Sequence, residues 1–378
     1  MIKVCFDYKA FFEQSLGGVS KYIVELNKSL NNLNCDAKIL SPFHINKYLI
    51  NDKYSNCILK FNNHYPRFTR QIFEELNKIL VKSHIKKINP GIFHFTDFNN
   101  FYLNESKIKK ITTVYDLIHE KFEKLYKLPK DYKVKKKNFL KKMDHIICIS
   151  NNTKKDLIDF YNIDENKISV VHLGIIQEKE EKFKEIQLEP KKPFILFVGS
   201  RKRYKNFLGF LKAFSLSKNL INDFDIVCFG NQLFSEEENL VIDNLKLREN
   251  MHLVMGDDNE LNNYYKNAEL FIFPSLYEGF GLPMLEAMKN GCAISCSNTS
   301  SLQEIGEGVA DFFSPDDEES ILNSLKKVLY SKDYQKKLIL NGYNKVSKFS
   351  WNNCAKSTLE IYKKVDYLYF SSDMPSLD

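Results

Sequence analysis

The chain has 378 residues, of which 43% are hydrophobic, so it is long enough for two domains with substantial cores and too apolar to be disordered. Its formal net charge is +7, and the excess lies in residues 1–180, which hold 31 basic against 20 acidic side chains. Because it has no N-terminal apolar signal, no apolar run of about 18 residues and no C-x-x-C pair among its eight cysteines, we expect a cytoplasmic protein with reduced thiols.

Apolar runs alternate with amphipathic stretches along the chain, which predicts βαβ units. The strands predicted for the first half are 2–6, 37–40, 92–95, 111–114, 145–149 and 168–171. Those predicted for the second half are 194–198, 225–229, 251–253, 270–273 and 292–295, with helices such as 19–30 and 207–216 between strands. The pattern predicts an α/β fold of two Rossmann-like, doubly wound domains that face each other across a cleft.

The domain limits follow from a polar segment, 177–192, which separates the two series and is interpreted as a linker. The predicted domains are therefore 1–176 and 193–350. We expect 351–369 to form a C-terminal helix that crosses back to the first domain, and 370–378 to form a flexible tail.

A lysine-rich segment, residues 121–142, holds ten lysines interleaved with aromatic side chains such as Tyr126 and Tyr132. Anionic lipid head groups attract such a surface with about 1 kcal/mol per basic residue. The same composition suits a solvated helix face, so peripheral contact with the inner face of the membrane and a plain solvated face are equally open. No nucleic-acid module accompanies the segment, and we expect no nucleic-acid partner.

The loop after predicted strand 194–198 opens with Gly199 and Ser200 and then carries four cations: Arg201, Lys202, Arg203 and Lys205. Cations at such a position suit an anionic ligand, and if a nucleoside diphosphate departs here, fixed cations or a divalent metal would have to neutralise its charge. The Asp-x-Asp sequence at 223–225 lies at the entry end of a predicted strand, away from the ligand edge. We therefore expect no catalytic metal.

Two glutamates, Glu278 and Glu286, flank the glycine-rich run 279–283. Glycines allow a ligand to approach the backbone closely, and a helix start with proline just inside it offers free N–H groups to an anion. Carboxylates accept hydrogen bonds from sugar and ribose hydroxyls. Glu286 is expected in the first helical turn, where its charge is favoured by about 0.3–1 kcal/mol. A strand, a turn and a helix that offer both phosphate donors and hydroxyl acceptors suggest a nucleotide-sugar site, whereas the glutamate spacing taken alone favours an ordinary turn with two surface glutamates.

The stretch 271–305, FIFPSLYEGFGLPMLEAMKNGCAISCSNTSSLQEI, resembles the donor-site signature of glycosyltransferase family 4, the retaining nucleotide-sugar enzymes with the GT-B fold. The segment 194–214 resembles the family's phosphate-binding strand, loop and helix. GGVSKYIVEL, ITTVYDLIHEKF and the segment 145–175 resemble, in the expected order, parts of its first domain. The sub-pattern GSR-x-x-YKNF is similar to branches that make bacterial surface polysaccharides such as O-antigens, often from mannose-type donors.

The resemblance implies roles for individual side chains. Glu278 would contact the transferred hexose, and Glu286 would accept hydrogen bonds from the ribose. Arg201 and Lys205 would neutralise the diphosphate. Arg203 is a rival of Arg201, because the family often places its arginine directly after the glycine.

Further implied contacts come from backbone groups and from the first domain. The residues expected to hold the donor through the main chain are Gly18, Gly199, Ser200, Gly279, Phe280, Gly281 and Leu282. Asp116 and His119 are catalytic candidates in a loop, 114–120, that would border the reacting carbon. Many relatives have histidine before this aspartate, where this chain has Tyr115, so the role of that position stays open. His94 is interpreted as a core or strand-end histidine rather than a catalytic one.

The implied activity is that of a metal-independent hexosyltransferase, which moves a hexose with retention from a nucleotide-diphosphate sugar, GDP-mannose favoured. The acceptor would be a hydroxyl of a saccharide or lipid-linked oligosaccharide in surface polysaccharide biosynthesis, and no cofactor besides the donor substrate is expected. The alternatives are a GT-B-fold epimerase or phosphorylase, a nicotinamide dehydrogenase and a non-catalytic sugar-binding module. Release of the nucleoside diphosphate without an acceptor, phosphate dependence or NAD binding would distinguish them.

Overall fold

The computed structural model describes residues 2–49, 53–99, 101, 103, 105, 107–176 and 190–372. The chain divides into two compact units, one made of Met1–Gly174 with Ser350–Asp378 and the other of Ile175–Phe349. Most of the predicted linker, residues 177–189, lies outside the described residues, as does the end of the predicted tail, residues 373–378.

The first unit contains a parallel sheet and, beside it, a short pair of strands. Its strands are β1 (Lys3–Phe6), β2 (Asp36–Ile39), β3 (Phe43–His44), β4 (Leu59–Lys60), β5 (Ile92–Phe95), β6 (Lys109–Val114), β7 (His145–Cys148) and β8 (Ile168–Val170). The sheet has the order β2-β1-β5-β6-β7-β8, and β3 pairs with β4. All of its neighbouring strands are parallel, so the direction of strand succession reverses between β1 and β5.

Helices cover this sheet. They are α1 (Lys9–Glu13), α2 (Gly18–Asn32), α3 (Arg70–Ile88), α4 (Ile118–Lys121), α5 (Tyr132–Lys141) and α6 (Asn151–Tyr161). Residues of α3, α5 and α6 share one core cluster with residues of β5 and β7, so these helices lie on the same layer.

The C-terminal helix, Trp351–Ser372, belongs to the first unit and packs against α2. It extends three residues beyond the predicted end at 369. The chain crosses itself closely where the helix begins, because a Cβ on Gly174 would lie 2.3 Å from the backbone nitrogen of Trp351. Only glycine fits there without a shift of the main chain.

The second unit repeats the architecture. Its strands are β9 (Phe194–Val198), β10 (Asp225–Phe229), β11 (Met251–Val254), β12 (Leu270–Phe273), β13 (Ile294–Ser297) and β14 (Ala310–Phe313). Its helices are α7 (Phe207–Ser215), α8 (Lys218–Asp223), α9 (Glu236–Asn244), α10 (Asp258–Asn267), α11 (Leu282–Lys289), α12 (Ser300–Gly306), α13 (Glu318–Leu329) and α14 (Lys332–Val346). The sheet has the order β11-β10-β9-β12-β13-β14, with every neighbouring pair parallel. The predicted α/β class with two doubly wound sheets is confirmed.

Two strands of the second unit differ from the predictions by more than one residue. The strand predicted at 292–295 begins two residues later, because Gly291 adopts a left-handed conformation and the Cys292 N–H still bonds the Ala287 carbonyl at the end of α11. No strand was predicted at β14, an edge strand that carries Asp311. Of the helices in the described part of the chain, none combines the length and the hydropathy needed to cross a bilayer.

Candidate active site

The strand order of the second unit reverses between β9 and β12, so the loops that follow these two strands meet at one edge of the sheet. In these loops the Nζ atom of Lys205 lies 2.5 Å from Oε1 of Glu278, and both side chains are largely buried, with 15% and 11% of their surface exposed. The Leu276 N–H donates to the Tyr204 carbonyl at 2.7 Å and ties the loops together. Residues 73 positions apart therefore form one ion pair at the ligand-binding edge.

Two serines fix the backbone around Glu278. The Glu278 N–H donates to Oγ of Ser300 at 2.9 Å. The Ser301 hydroxyl lies 2.9 Å from the Glu278 carbonyl and 3.0 Å from the Phe280 carbonyl, and it donates to this pair of acceptors. Both serines open α12, and the sequence analysis did not single them out. The Thr-Ser-Ser sequence at 299–301 was the available signal, since hydroxyl side chains are common where helices begin.

The glycine-rich run leads directly into α11. Gly281 has a φ of 111°, in the region that favours glycine, and the helix begins at Leu282 with proline in its first turn. Glu286 is consequently the fifth helical residue, and the expectation that it lies in the first turn was wrong. Its Oε2 accepts a hydrogen bond from the Tyr265 hydroxyl at 3.3 Å, and burial holds the pKa of that phenol well above its ordinary value.

Arg201 is held inside the second unit. Its Nε donates to Oε1 of Glu238 at 2.9 Å, and its Nη2 donates to the Gln232 and Leu233 carbonyls at 2.7 and 2.8 Å. Its guanidinium also lies 4.8 Å from the ring centroid of Phe234. Three of the five N–H donors of the guanidinium are thus bonded within the protein.

The clamp around Arg201 joins the loops after β9 and β10. These loops also approach each other closely at Gly230, where a Cβ would lie 2.9 Å from the Gly199 carbonyl oxygen. Arg203 and Lys202, in contrast, are exposed and form no ion pair with any described residue. The assignment of Arg201 to the diphosphate stays a prediction, and its rival Arg203 has the unengaged guanidinium.

The corresponding edge of the first unit is organised by a buried carboxylate, Asp7, directly after β1. It accepts a hydrogen bond from the Thr96 N–H at 3.0 Å and further bonds from the Thr96 hydroxyl and the Asn99 amide. Burial raises the pKa of Asp7 to about 6. The strand order reverses here too, so Asp7 joins the loops after β1 and β5. Asp7 was not among the predicted site residues, although the sequence shows a polar residue directly after a buried strand.

The two catalytic candidates of the first unit lie around the start of α4. Oδ1 of Asp116 accepts a hydrogen bond from the Ile118 N–H at 3.0 Å and so shapes the start of the helix. His119 is exposed, and its ring meets that of Tyr126 edge to face with 4.4 Å between centroids. The neighbouring Tyr115 donates its hydroxyl to the Thr96 carbonyl at 2.9 Å.

Glu120 fixes this loop through buried contacts. Its buried carboxylate accepts from Nζ of Lys136 at 2.6 Å and from the Tyr161 hydroxyl at 2.5 Å. Lys136 lies in α5 and Tyr161 in α6, so these two contacts hold α4 against both helices. Removing one member of the buried ion pair would leave the other charge uncompensated, so the contact is costly to break. Among the lysines of the lysine-rich segment, Lys136 is therefore a core residue.

Gly18 and His94 complete the first-unit predictions. Gly18 is the first residue of α2, and apart from its chain neighbours and the backbone of its own helix no described atom lies within 4 Å of where its Cβ would be. His94 is buried, with Nδ1 2.6 Å from the Tyr362 hydroxyl and Nε2 2.9 Å from the Thr113 hydroxyl. Burial lowers its pKa to about 3, so its neutral imidazole joins the C-terminal helix to the sheet. His94 is a core histidine.

The Asp-x-Asp sequence lies away from the ion pair of the second unit. Asp225 begins β10 at the amino end of the sheet and has His252 3.0 Å away, while Asp223 accepts from the Tyr330 hydroxyl. Within the described ranges, no three His, Cys, Asp or Glu side chains form a group suited to a metal ion.

Two family models cover most of the chain. The model for glycosyltransferase family 4 matches residues 16–179, and the model for glycosyl transferases group 1 matches residues 178–345. Together they contain every side chain that the sequence analysis put forward for the donor or the reaction.

Similar proteins agree with these matches. O-antigen chain mannosyltransferase B of Escherichia coli is 24% identical over 70% of this chain and 72% of its own length. O-antigen chain mannosyltransferase RfbU of Salmonella typhimurium is 30% identical over 50% of this chain and 52% of its own length.

A solved structure shares the fold over nearly the whole chain. Sucrose-phosphate synthase from Thermosynechococcus elongatus superimposes with a TM-score of 0.77, covers 97% of this chain and 99% of its own, and is 17% identical. The chain therefore belongs to glycosyltransferase family 4 and has the GT-B fold.

Proposed function

We propose that the chain transfers a hexose, with a mannose-type donor such as GDP-mannose favoured, from a nucleotide-diphosphate sugar to a saccharide or lipid-linked acceptor. The observation that carries this proposal is the contact of Lys205 with Glu278. A cation for the diphosphate and a carboxylate for sugar hydroxyls lie side by side at the edge where doubly wound sheets bind ligands. The mannosyl donor and the role in surface polysaccharide synthesis are supported by the names of the two bacterial relatives.

The proposed chemistry is a single transfer with retention of configuration. The acceptor oxygen forms a bond to the anomeric carbon on the face from which the diphosphate leaves, and the broken C–O bond leaves its electron pair on the diphosphate. The acceptor proton passes to an oxygen of the departing phosphate. Lys205 would stabilise the charge that develops on the diphosphate, a contribution that is largest where water is excluded. Glu278 would hold the hexose hydroxyls.

Asp116 and His119 are proposed to act on the acceptor. Asp116 is fixed by the Ile118 N–H, and His119 exposes its ring, so both can contact a ligand without a change of fold. Glu286 would bind the ribose, and the Tyr265 hydroxyl would orient its carboxylate.

A donor panel tests the proposal. We would measure the melting temperature of the full chain with GDP-mannose, UDP-galactose, UDP-glucose and UDP-N-acetylglucosamine. A donor at 100 times its Kd should stabilise the protein by about 2.7 kcal/mol. The stabilising donor would then be incubated with lipid-linked oligosaccharide, and the anomeric configuration of the product read by NMR.

Matched variants sharpen the test. At the same donor concentration Glu286→Ala should keep no more than about half of the donor-induced stabilisation, whereas Leu240→Ser, at an exposed site on α9, should keep all of it. An inverted product anomer would overturn the retaining mechanism. Consumption of the donor that depends on phosphate, or conversion of the donor to an epimer, would replace the transferase by a phosphorylase or an epimerase.

A further inference from the structure

An exposed apolar stripe runs along α3 in the first unit. Ile72, Leu76 and Ile79 recur at intervals of four and three residues and are all exposed. Phe68, two residues before the helix, exposes 92% of its surface. The opposite face of α3 packs into the core, for example through Val81. The helix is therefore apolar on both faces, and packing within the unit accounts for only one of them.

Basic residues surround this stripe. Residues 67–88 hold six basic and two acidic side chains. The acids are already paired, Glu75 with Lys78 at 2.6 Å and Glu74 with Lys9 at 3.5 Å. Lys86 and Lys87 are exposed, follow Ile79 by about two turns, and form no ion pair with any described residue. The apolar stripe thus has a cationic rim in which Arg70 is paired with Glu13 and Lys78 with Glu75, whereas Lys86 and Lys87 are left unpaired by the described residues.

The lysine-rich segment lies on the same layer but lacks such a stripe. Its helix, α5, contributes to the same core cluster as α3. Its aromatic Tyr132 packs against Phe98 rather than standing free. The segment can therefore contribute positive charge, but the exposed apolar side chains of the stripe belong to α3 and to the residues just before it. Several of its lysines are paired with acids: Lys121 with Asp156, Lys133 with Glu123, Lys135 with Asp131 and Lys136 with Glu120.

We propose that the stripe formed by Phe68, Ile72, Leu76 and Ile79 docks the protein onto a bilayer that contains anionic lipid. The apolar side chains would enter the boundary between head groups and acyl chains, while the lysines bind the anionic head groups. A second copy of the chain fits less well, because a two-fold contact would place two cationic rims against each other. The surface contains no donor-site residue, so this proposal stands or falls independently of the transfer reaction.

Vesicle co-sedimentation tests the proposal. The purified full chain should sediment with phosphatidylglycerol–phosphatidylethanolamine vesicles and not with phosphatidylcholine vesicles. The combined variant Phe68→Ser, Ile72→Ser and Ile79→Ser should bind the anionic vesicles at least about tenfold more weakly. The matched control, Leu216→Ser, Leu240→Ser and Leu340→Ser, changes three similarly exposed leucines of the second unit and should bind like the wild type.

The measurement also separates binding from folding. The stripe variant should keep the wild-type melting temperature and donor stabilisation, because all three changed side chains are exposed. Equal vesicle binding by the stripe variant and the wild type, or no binding by the wild type, would overturn the proposal. A concentration-dependent dimer that disappears with the same three substitutions would assign the stripe to self-association instead.

Discussion

Variants of the ion pair between Lys205 and Glu278 can show separately what the pair contributes to stability and what it contributes to turnover. Removing one partner of a fully buried pair costs about 3–5 kcal/mol, and removing one from an exposed pair costs about 0–1 kcal/mol. With 15% and 11% of the two side chains exposed, this pair lies between those limits. We therefore expect Lys205→Met and Glu278→Gln each to lower the free energy of unfolding by about 2 kcal/mol, because each leaves a partly buried charge unpaired.

The double variant should recover most of that loss. Neither of the two substituted side chains would carry a charge, so the coupling free energy between the substitutions should be about 3 kcal/mol, which leaves the double variant about 1 kcal/mol less stable than the wild type. Turnover should not recover, because the diphosphate would still lack its cation; removing one preorganised electrostatic group typically lowers kcat by about 10²–10³. Urea denaturation would measure stability, and release of nucleoside diphosphate in the presence of acceptor would measure turnover.

Two results would refute this reasoning. Strictly additive stability losses would mean that the two side chains do not interact in solution. Wild-type turnover by the double variant would mean that the pair is structural and that the reaction takes place elsewhere. Leu340→Ser, an exposed substitution in α14 of the same unit, provides a control for unspecific effects on either assay.

Three further predictions concern residues around the two sheets. Glu286→Ala should raise the KM for the donor about 10- to 150-fold with little change in kcat, since a hydrogen bond to a charged group is worth about 1.5–3 kcal/mol; a fall in kcat alone would contradict a ribose contact. Arg201→Lys should destabilise the protein to urea by about 1–3 kcal/mol, as should Glu238→Gln to a smaller extent, because both break the clamp; unchanged stability with lost turnover would instead indicate direct contact of Arg201 with the donor. His94, with its pKa lowered to about 3, favours the folded state at neutral pH, and that contribution is lost as pH falls below 6.5. Asp7 acts in the opposite direction: because its pKa is raised to about 6, the folded state becomes more stable as pH falls from about 6 to 3.8. As pH falls from 6 to 4, the two groups therefore change the free energy of unfolding in opposite directions. Over that fall His94→Gln should gain stability relative to the wild type and Asp7→Asn should lose it, as followed by thermal unfolding. Parallel pH profiles of the two variants would disprove the assignment.

Much of the fold could be predicted because buried parallel strands appear in sequence as continuous apolar runs. The strands at 194–198 and 225–229 have the bounds expected for them. The exceptions have local causes. Gly291 prolongs the turn after α11 and delays β13, and β14 lies at the sheet edge, where Asp311 interrupts an otherwise apolar run.

The meeting of Lys205 with Glu278 could be anticipated from topology, since each follows a strand beside the point where the strand order reverses. The partners of Asp7 and Ser301 could not be anticipated, although the position of each residue, at a strand end and at a helix start, was visible in the sequence. Asp7 is held by Thr96, 89 residues away, and Ser301 bonds carbonyls more than 20 residues before it. A single polar side chain with a distant partner leaves no spacing pattern in the sequence.

Arg201 shows that the type of a residue and its place in the sequence do not determine which partners orient its side chain. The sequence Ser235-x-x-Glu238 has the form of a capping box, and Glu238 does close the start of α9, where its Oε2 accepts from the Ser235 N–H at 2.7 Å. Its other oxygen binds Arg201. The local motif fully accounts for Glu238 as a helix cap and so gives no reason to look for a second partner. Because one carboxylate has two acceptor oxygens, a residue explained by its neighbours can still decide how a cation 37 positions away is oriented.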